Sequence, residues 1–208
     1  ETTITETFAS LTVTRGVAPR DHAFPGAGVR PAIVITAKRS DPAAGAKRAE
    51  AGLHIITVPE NRWERVDIKT VGLLPNVLAR QKAKASGAHD AWFVDPDGTV
   101  KEGASSNVWI VTKDNVLVTR QAETGILRGI TRTTVIDVAA KLGLSVEERD
   151  FSLDEAQGAK EVFMTSATTV VMPVVSIDGR SVANGHPGST TLSLREAFFD
   201  VAEKKSAC

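Results

Sequence analysis

The chain of 208 residues has one cysteine, Cys208, no tyrosine and four histidines. One cysteine excludes a disulfide framework and a cysteine-rich metal site. The histidines are scattered and give no zinc-ligand spacing. No apolar run approaches the ~18 residues that a membrane-spanning helix needs. The opening Glu1-Thr2-Thr3-Ile4 has neither the basic end nor the apolar stretch of a signal peptide. An excess of one charge is also missing, since Lys plus Arg and Asp plus Glu both number 25. That balance argues against a general nucleic-acid binder or a polybasic membrane protein, though not against a local basic pocket. Glycine-rich phosphate loops of the P-loop or dinucleotide type are absent, as are repeats, low-complexity tracts and linkers. What is present is 42% hydrophobic and 24% charged residues, enough for one large domain or one domain with a small appendage. The expected location is the cytoplasm, with no nucleic-acid or membrane partner. The lack of tyrosine, a first residue other than methionine and a strand that starts almost at once fit a chain that has lost an N-terminal part.

Local patterns give a mixed α/β (α+β) domain in which strands outnumber helices. Phe8 to Thr14 alternates and is β-branched, which predicts a strand. Arg15 to Pro31 holds three glycines and three prolines and reads as a loop. Ala32 to Ala37 is a continuous apolar run, expected as a buried strand, and Ser40 to Gly52 is expected as a small, polar surface connection. Leu53 to Val58 is a further strand. Leu73 to Ser86 has helical periodicity, with Pro75 in the first turn and Gly87 as the stop. Short strands then crowd together at Ala91 to Val94, Asn107 to Thr112 and Val116 to Thr119, with turns at Asp95 to Gly98 and Lys113 to Asn115. A helix over Thr131 to Leu142, a strand over Ser145 to Arg149 and a short helix over Leu153 to Ala159 follow. Glu161 to Thr165 and Val170 to Ile177 are strands, the second ending in the turn Asp178-Gly179. Leu192 to Lys205 is a closing amphipathic helix.

Five stretches could carry chemistry. Lys69 is flanked by Ile68 and by Val71-Gly72-Leu73-Leu74. Loss of hydration there would lower its pKa and free the amine for nucleophilic work, or the side chain snorkels from a strand end to water. Glu102 precedes the small, polar Gly103-Ala104-Ser105-Ser106, so it is either a solvated turn residue or a carboxylate held against a cationic ring nitrogen. Gly125 to Arg132 runs into a helix, whose first N–H groups suit a phosphate; Thr131 adds a hydroxyl there or is simply the N-cap. Thr165-Ser166-Ala167-Thr168-Thr169 is an anion-binding turn or an ordinary polar loop. Arg20 and His22 lie two apart in an extended segment and point the same way. They hold a carboxylate between them or are unrelated surface residues.

Taken together and in this order, these stretches resemble the fold-type IV, pyridoxal-phosphate-dependent aminotransferases. The strings that carry the likeness are Asp67-Ile68-Lys69 before a helix, Glu102-Gly103-Ala104-Ser105-Ser106-Asn107, and Ile126-Leu127-Arg128-Gly129-Ile130-Thr131-Arg132, with Val174 to Gly179 as a late match. Thr14-Arg15-Gly16 through Pro19-Arg20-Asp21-His22-Ala23-Phe24-Pro25 is similar to the D-amino-acid branch. The likeness runs from about Thr14 to about Gly188. It implies the large C-terminal domain of that fold, a strand-rich pseudo-barrel with flanking helices. It also implies a division into residues 1–50, a remnant of the small-domain side with the substrate-carboxylate loop, and residues 51–208, the cofactor-binding domain. Lys69 matches the lysine that forms the Schiff base with pyridoxal 5′-phosphate and shuttles the proton. Glu102 matches the carboxylate that pairs with the pyridine nitrogen. Leu127 matches the residue packed on the ring, Ile130 and Thr131 the helix-start phosphate contacts, Ser166 the second phosphate turn, and Arg20 with His22 the α-carboxylate clamp.

The implied activity transfers the amino group of a D-amino acid to a 2-oxo acid, in a homodimer and without a metal. The alternatives are a branched-chain L-amino-acid or (R)-amine transaminase, an aminodeoxychorismate lyase of the same fold, or an inactive fragment. Two departures stand out. The family's preceding small domain supplies an arginine to the phosphate and a tyrosine to the pocket, and both would precede Glu1. A domain that orders only with cofactor bound is expected to account for them. Ala167 stands where relatives often have a threonine.

Overall fold

A computed structural model describes residues 7–202 of the chain. Cys208 and the expected end of the last helix at Lys205 lie outside the described residues. The chain divides into two compact units, residues 1–45 and 46–208. The sequence reading places this division at 50/51.

In the first unit, β1 (Thr7–Thr14) pairs antiparallel with β2 (Ala32–Arg39), from Thr7 opposite Arg39 to Thr14 opposite Ala32. The expectation that the apolar run of β2 is buried is not met, because the strand is exposed along its whole length. A two-stranded ribbon has no second layer of its own to cover either face. Ile33, Val34 and Ile35 therefore all remain more than half exposed, at 64, 52 and 63%. The loop between the strands turns at Gly16, where φ is +91° and a Cβ would lie 2.1 Å from the Arg30 carbonyl oxygen. Only glycine fits there.

The stretch expected as a surface connection is helix α1 (Pro42–Ala51). Its signals are local. Asp41 Oδ1 accepts from the N–H groups of Ala43 and Ala44 at 3.0 and 3.3 Å, Pro42 occupies the first turn, and alanine fills much of the rest. Only Ala49 of α1 is buried, so amphipathic periodicity is weak and a reading based on that period overlooks it.

The second unit is built on one sheet of nine strands. These are β3 (Leu53–Pro59), β4 (Asp90–Val94), β5 (Val100–Gly103), β6 (Asn107–Val111), β7 (Leu117–Thr119), β8 (Val146–Glu148), β9 (Glu161–Ser166), β10 (Val170–Ile177) and β11 (Arg180–Ser181). The spatial order is β5-β4-β3-β10-β9-β6-β7-β8, with β11 paired to β10. β3 runs parallel to β4 and β10, and β7 parallel to β8. The parallel joins β3–β4 and β7–β8 are bridged by helices α2 (Leu74–Ala85) and α3 (Ile130–Lys141), as crossover connections require. The remaining pairs are antiparallel. β5 and β11 are the two strands that the sequence reading does not contain.

The connectivity forces the sheet to curl. β5 is first in the order and β6 sixth, so in a flat sheet they would stand five spacings of ~4.8 Å, or ~24 Å, apart. The link between them is only Ala104-Ser105-Ser106, which spans ~14 Å at most from Gly103 to Asn107. The Gly103 N–H in fact donates to the Ser106 carbonyl at 2.8 Å. The result is a half-barrel whose closure is the Glu102 to Asn107 segment.

Its interior holds Trp92, Val108, Ile110, Val162, Met164, Met172 and Val174. The alternate residues Trp109, Val111 and Phe163 face outward and are covered by Val135 and Val138 of α3 and Leu194 of α5 (Ser189–Val201). Ala91 and Phe93 are covered by Ala79 and Ala83 of α2. Because both faces are buried, β4 and β6 read as unbroken apolar runs. At the start of α5, the buried carboxylate of Glu161 accepts from the N–H groups of Thr190 and Thr191 at 3.0 and 2.8 Å, and from the Thr191 hydroxyl at 2.8 Å. The short α4 (Leu153–Gln157) is capped by Ser152. No helix among the described residues is long and apolar enough to cross a membrane.

Candidate active site

The barrel closure buries a carboxylate. Glu102, the third residue of β5, is 5% exposed. Its Oε1 accepts from Arg62 Nη1 at 2.6 Å, and its Oε2 accepts from Asn107 Nδ2 and the Leu127 N–H, each at 3.1 Å. Burial pushes the Glu102 carboxyl above the usual carboxylate range, against the opposing pull of Arg62 and the Leu127 N–H. The Arg62 side chain is itself buried, stands 4.3 Å over the Phe93 ring and grips Glu60 as well as Glu102. The shielded set Glu60, Arg62 and Glu102 thus has two carboxylates and one guanidinium.

Asn107 ties three pieces together. Its Nδ2 donates to Glu102 Oε2 and, at 2.8 Å, to the Leu127 carbonyl. Its Oδ1 lies where a side chain on Gly129 would have to go, 2.2 Å from an ideal Cβ. Gly129 is the N-cap of α3 and supplies no side-chain cap. Thr131 is therefore not the N-cap; it is buried inside the first turn, beside the exposed Ile130. By contrast, Asp41, Ser152 and Glu161 give side-chain oxygens to the N-termini of α1, α4 and α5.

Ser166 ends β9, one residue beyond Thr165, which pairs with Asn107. Its hydroxyl accepts from the Thr169 N–H at 3.2 Å and lies 2.7 Å from Thr169 Oγ1. Ala167 is exposed. The turn is held from behind. Val170 has φ +62°, a left-handed conformation costly for a β-branched residue, and Arg195 Nη1 of α5 donates to the carbonyls on both sides of it, Thr169 at 2.8 Å and Val171 at 2.7 Å.

Glu102, Leu127, Gly129 to Thr131 and Ser166 are therefore brought to one end of β6 and β9, around Asn107. Lys69 lies on the irregular segment between β3 and α2 that begins at Glu60 and Arg62, so Arg62 tethers the lysine's segment to β5. Its side chain is not surrounded by apolar neighbours. Lys69 is exposed, and Ile68 and Val71 are open to solvent as well. Nearby, Arg65 and Asp67 form an ion pair at 2.8 Å. Arg20 and His22 are exposed in the first unit, where the His22 N–H donates to Asp21 Oδ1 at 2.6 Å.

Sequence reasoning missed Arg62, Glu60 and Arg195, and saw Asn107 only as part of a string. The Glu-x-Arg spacing of residues 60–62 is too common to stand out. Glu102 and Arg62 meet only because β3, β4 and β5 are neighbours.

The family model described as amino-transferase class IV matches residues 5–177. The D-alanine aminotransferase of Bacillus licheniformis is 43% identical over 188 residues, covering 90% of this chain and 65% of that protein. The D-alanine aminotransferase of Listeria monocytogenes is 41% identical, covering 95% of this chain and 67% of that protein. Among solved structures, a T.th. branched-chain amino acid aminotransferase with pyridoxamine 5′-phosphate superposes with a TM-score of 0.82 at 29% identity, over 93% of this chain and 64% of that one. The chain thus spans about two thirds of the length of the relatives it matches. The match over 5–177 and the 41–43% identity to these relatives establish that this chain belongs to the class IV aminotransferase family.

Proposed function

We propose that the chain is the cofactor-binding part of a transaminase that moves the amino group of a D-amino acid to a 2-oxo acid with pyridoxal 5′-phosphate. The observation that carries the reading is the shielded set Glu60, Arg62 and Glu102, one positive charge short of neutrality. A protonated ring nitrogen beside Glu102 supplies that charge. The other residues fit the same group. The first turn of α3 takes no side-chain cap and has a glycine where a Cβ would not fit, which suits a phosphate. Pyridoxal phosphate, when bound, supplies an aldehyde for an amine and an electron-withdrawing ring.

The chain's own residues do the rest. Glu102 holds the proton on the ring nitrogen. Leu127 packs against the ring. The N–H groups at Ile130 and Thr131 and the Ser166 hydroxyl donate to the phosphate. Lys69 Nζ would take the α-proton of the substrate and give it back. Arg20 and His22 receive the substrate carboxylate, with arginine as the two-pronged donor.

The D-amino-acid assignment is supported by relatives of that name at 41–43% identity, against 29% for the branched-chain structure. A homodimer is supported by Val71, Leu74, Val77 and Leu78, which are exposed together on and before α2. A cytoplasmic location is supported by the single cysteine.

The test uses the full-length protein with pyridoxal phosphate. The expected result is a cofactor-derived visible absorbance band and turnover of D-alanine with a 2-oxo acid, both lost in Lys69→Ala. Arg20→Ala should raise KM for D-alanine far more than for a chiral arylalkyl amine. Full transamination by Lys69→Ala, or turnover of L-leucine but not D-alanine, would refute the corresponding part.

A further inference from the structure

Glu60 shares no hydrogen bond with Glu102, yet it holds the cation that does. Glu60 Oε1 accepts from Arg62 Nε at 2.9 Å and from the Arg62 N–H at 2.8 Å, and its Oε2 accepts from Arg62 Nη2 at 2.5 Å. The guanidinium fork is thus committed to Glu60. Arg62 Nη1 alone reaches Glu102. The arrangement is fixed from both sides. The Glu60 N–H donates to the Val94 carbonyl at 2.8 Å, and the guanidinium lies over Phe93. Two further charges stand near the set. They are Lys101, which favours ionised Glu60, and its partner Asp95 at 2.8 Å.

We propose that Glu60 is a positioning residue which, by sharing Arg62 with Glu102, sets how much negative charge Glu102 presents to the cofactor's ring nitrogen. This rests on the reading of Glu102 given above. Arg62 alone would neutralise Glu102 and leave a weak partner for a protonated nitrogen. With Glu60 drawing on the same guanidinium, Glu102 keeps its charge within a set of net charge −1. Neutralising Glu60 turns Arg62 fully toward Glu102, and neutralising Arg62 leaves two carboxylates with no cation between them. The two changes therefore act in opposite directions, which a merely structural role would not produce.

The experiment follows Glu102 by carboxylate 13C NMR in the cofactor-free full-length protein, its signal assigned by Glu102→Gln. In Glu60→Gln the Glu102 midpoint moves to lower pH. In Arg62→Gln it moves to higher pH, and in the double variant, where the net charge is again −1, it returns toward the parent value. With pyridoxal phosphate bound, Glu60→Gln lowers kcat for D-alanine by up to about tenfold, the factor that one pH unit of proton affinity is worth, with KM little changed. A Glu102 midpoint that stays put or rises in Glu60→Gln overturns the proposal, and this variant decides alone if Arg62→Gln fails to fold. Failure of the parent protein to take up cofactor would instead sink the transaminase reading, while the cofactor-free titration would still stand on its own.

Discussion

Glu102 and Glu161 are both buried, at 5% exposure each, and each accepts three hydrogen bonds. Replacing each by glutamine makes the same chemical change in two different settings. In Glu161→Gln one oxygen becomes an NH2 that faces the donors at the start of α5. The side chain packs directly against Gly188, filling the space that a Cβ there would take, 2.0 Å from Glu161 Cδ. At least one charge-assisted bond to an N–H is lost, about 1.5–3 kcal/mol. The favourable contact of a negative charge with the helix N-terminus goes too, about 0.3–1 kcal/mol. The expected cost is about 3 kcal/mol.

In Glu102→Gln the bond from Arg62 survives on the remaining oxygen, and the bonds from Asn107 and Leu127 are lost, because both donate to the position that becomes an NH2 group, about 2–3 kcal/mol together. Against this, the substitution removes a charge whose burial is unfavourable, the reason its carboxyl is pushed up, and it brings the trio with Glu60 and Arg62 to neutrality. The two effects nearly cancel, so the expected change is within about 1 kcal/mol. The sign with pH follows. The folded-state value of Glu102 is raised, so its ionisation costs stability above that value, and the cost is relieved as pH falls toward the ordinary carboxylate range. Glu102→Gln should therefore compare best with the parent protein near neutrality and worse as the solution is acidified. Urea unfolding of the cofactor-free protein, followed by the fluorescence of the fully buried Trp92 and Trp109, measures both. A loss for Glu102→Gln at neutral pH as large as for Glu161→Gln would refute the reasoning.

Three further outcomes follow from the contacts of the site. Asn107→Ala removes the link from Glu102 to the Leu127 carbonyl and should cost about 2–3 kcal/mol in the same urea assay, whereas a change under about 0.5 kcal/mol would mean the link is not structural. Gly129→Ala places a methyl against Asn107 Oδ1. It should weaken pyridoxal phosphate binding at least about tenfold, one step of ~1.4 kcal/mol, with the circular dichroism spectrum unchanged, and unaltered affinity in a titration of the visible band would contradict the placement of the phosphate. Arg195→Ala frees the carbonyls on both sides of Val170. Amide exchange at Thr169 to Val171 should then speed up, with a stability loss of about 1–2 kcal/mol; unchanged exchange would show that the turn holds itself.

What the sequence reveals and what it hides divide along physical lines. Turns are legible because the backbone needs particular residues there. Gly98, Asn115 and the pair Asp178-Gly179 all have positive φ and sit at turns read from their residue types. The strands β4, β6, β9 and β10 are legible as apolar runs because both faces of the sheet are covered. β2 has the same apolar signature with neither face covered, so an apolar run reports what a strand can bury and not what lies against it. β5 is hidden by Lys101 and Glu102, charges that look like a turn until a sheet closes around them.

The site divides in the same way. Residues proposed to meet the phosphate through a local motif, Gly129-Ile130-Thr131 at a helix start and the hydroxyls after β9, leave a short string behind. Residues that act on each other across the sheet leave none. Glu60 and Arg62 are forty or more residues from Glu102, and Arg195 is more than twenty from the turn it holds. Their pairing exists only once β3, β4 and β5 lie side by side and α5 returns over β10. The groups that pair with Glu102 and brace the Ser166 turn are thus a property of the closed sheet, and a reading limited to contiguous strings picks out Glu102 and Ser166 while missing what holds them in place.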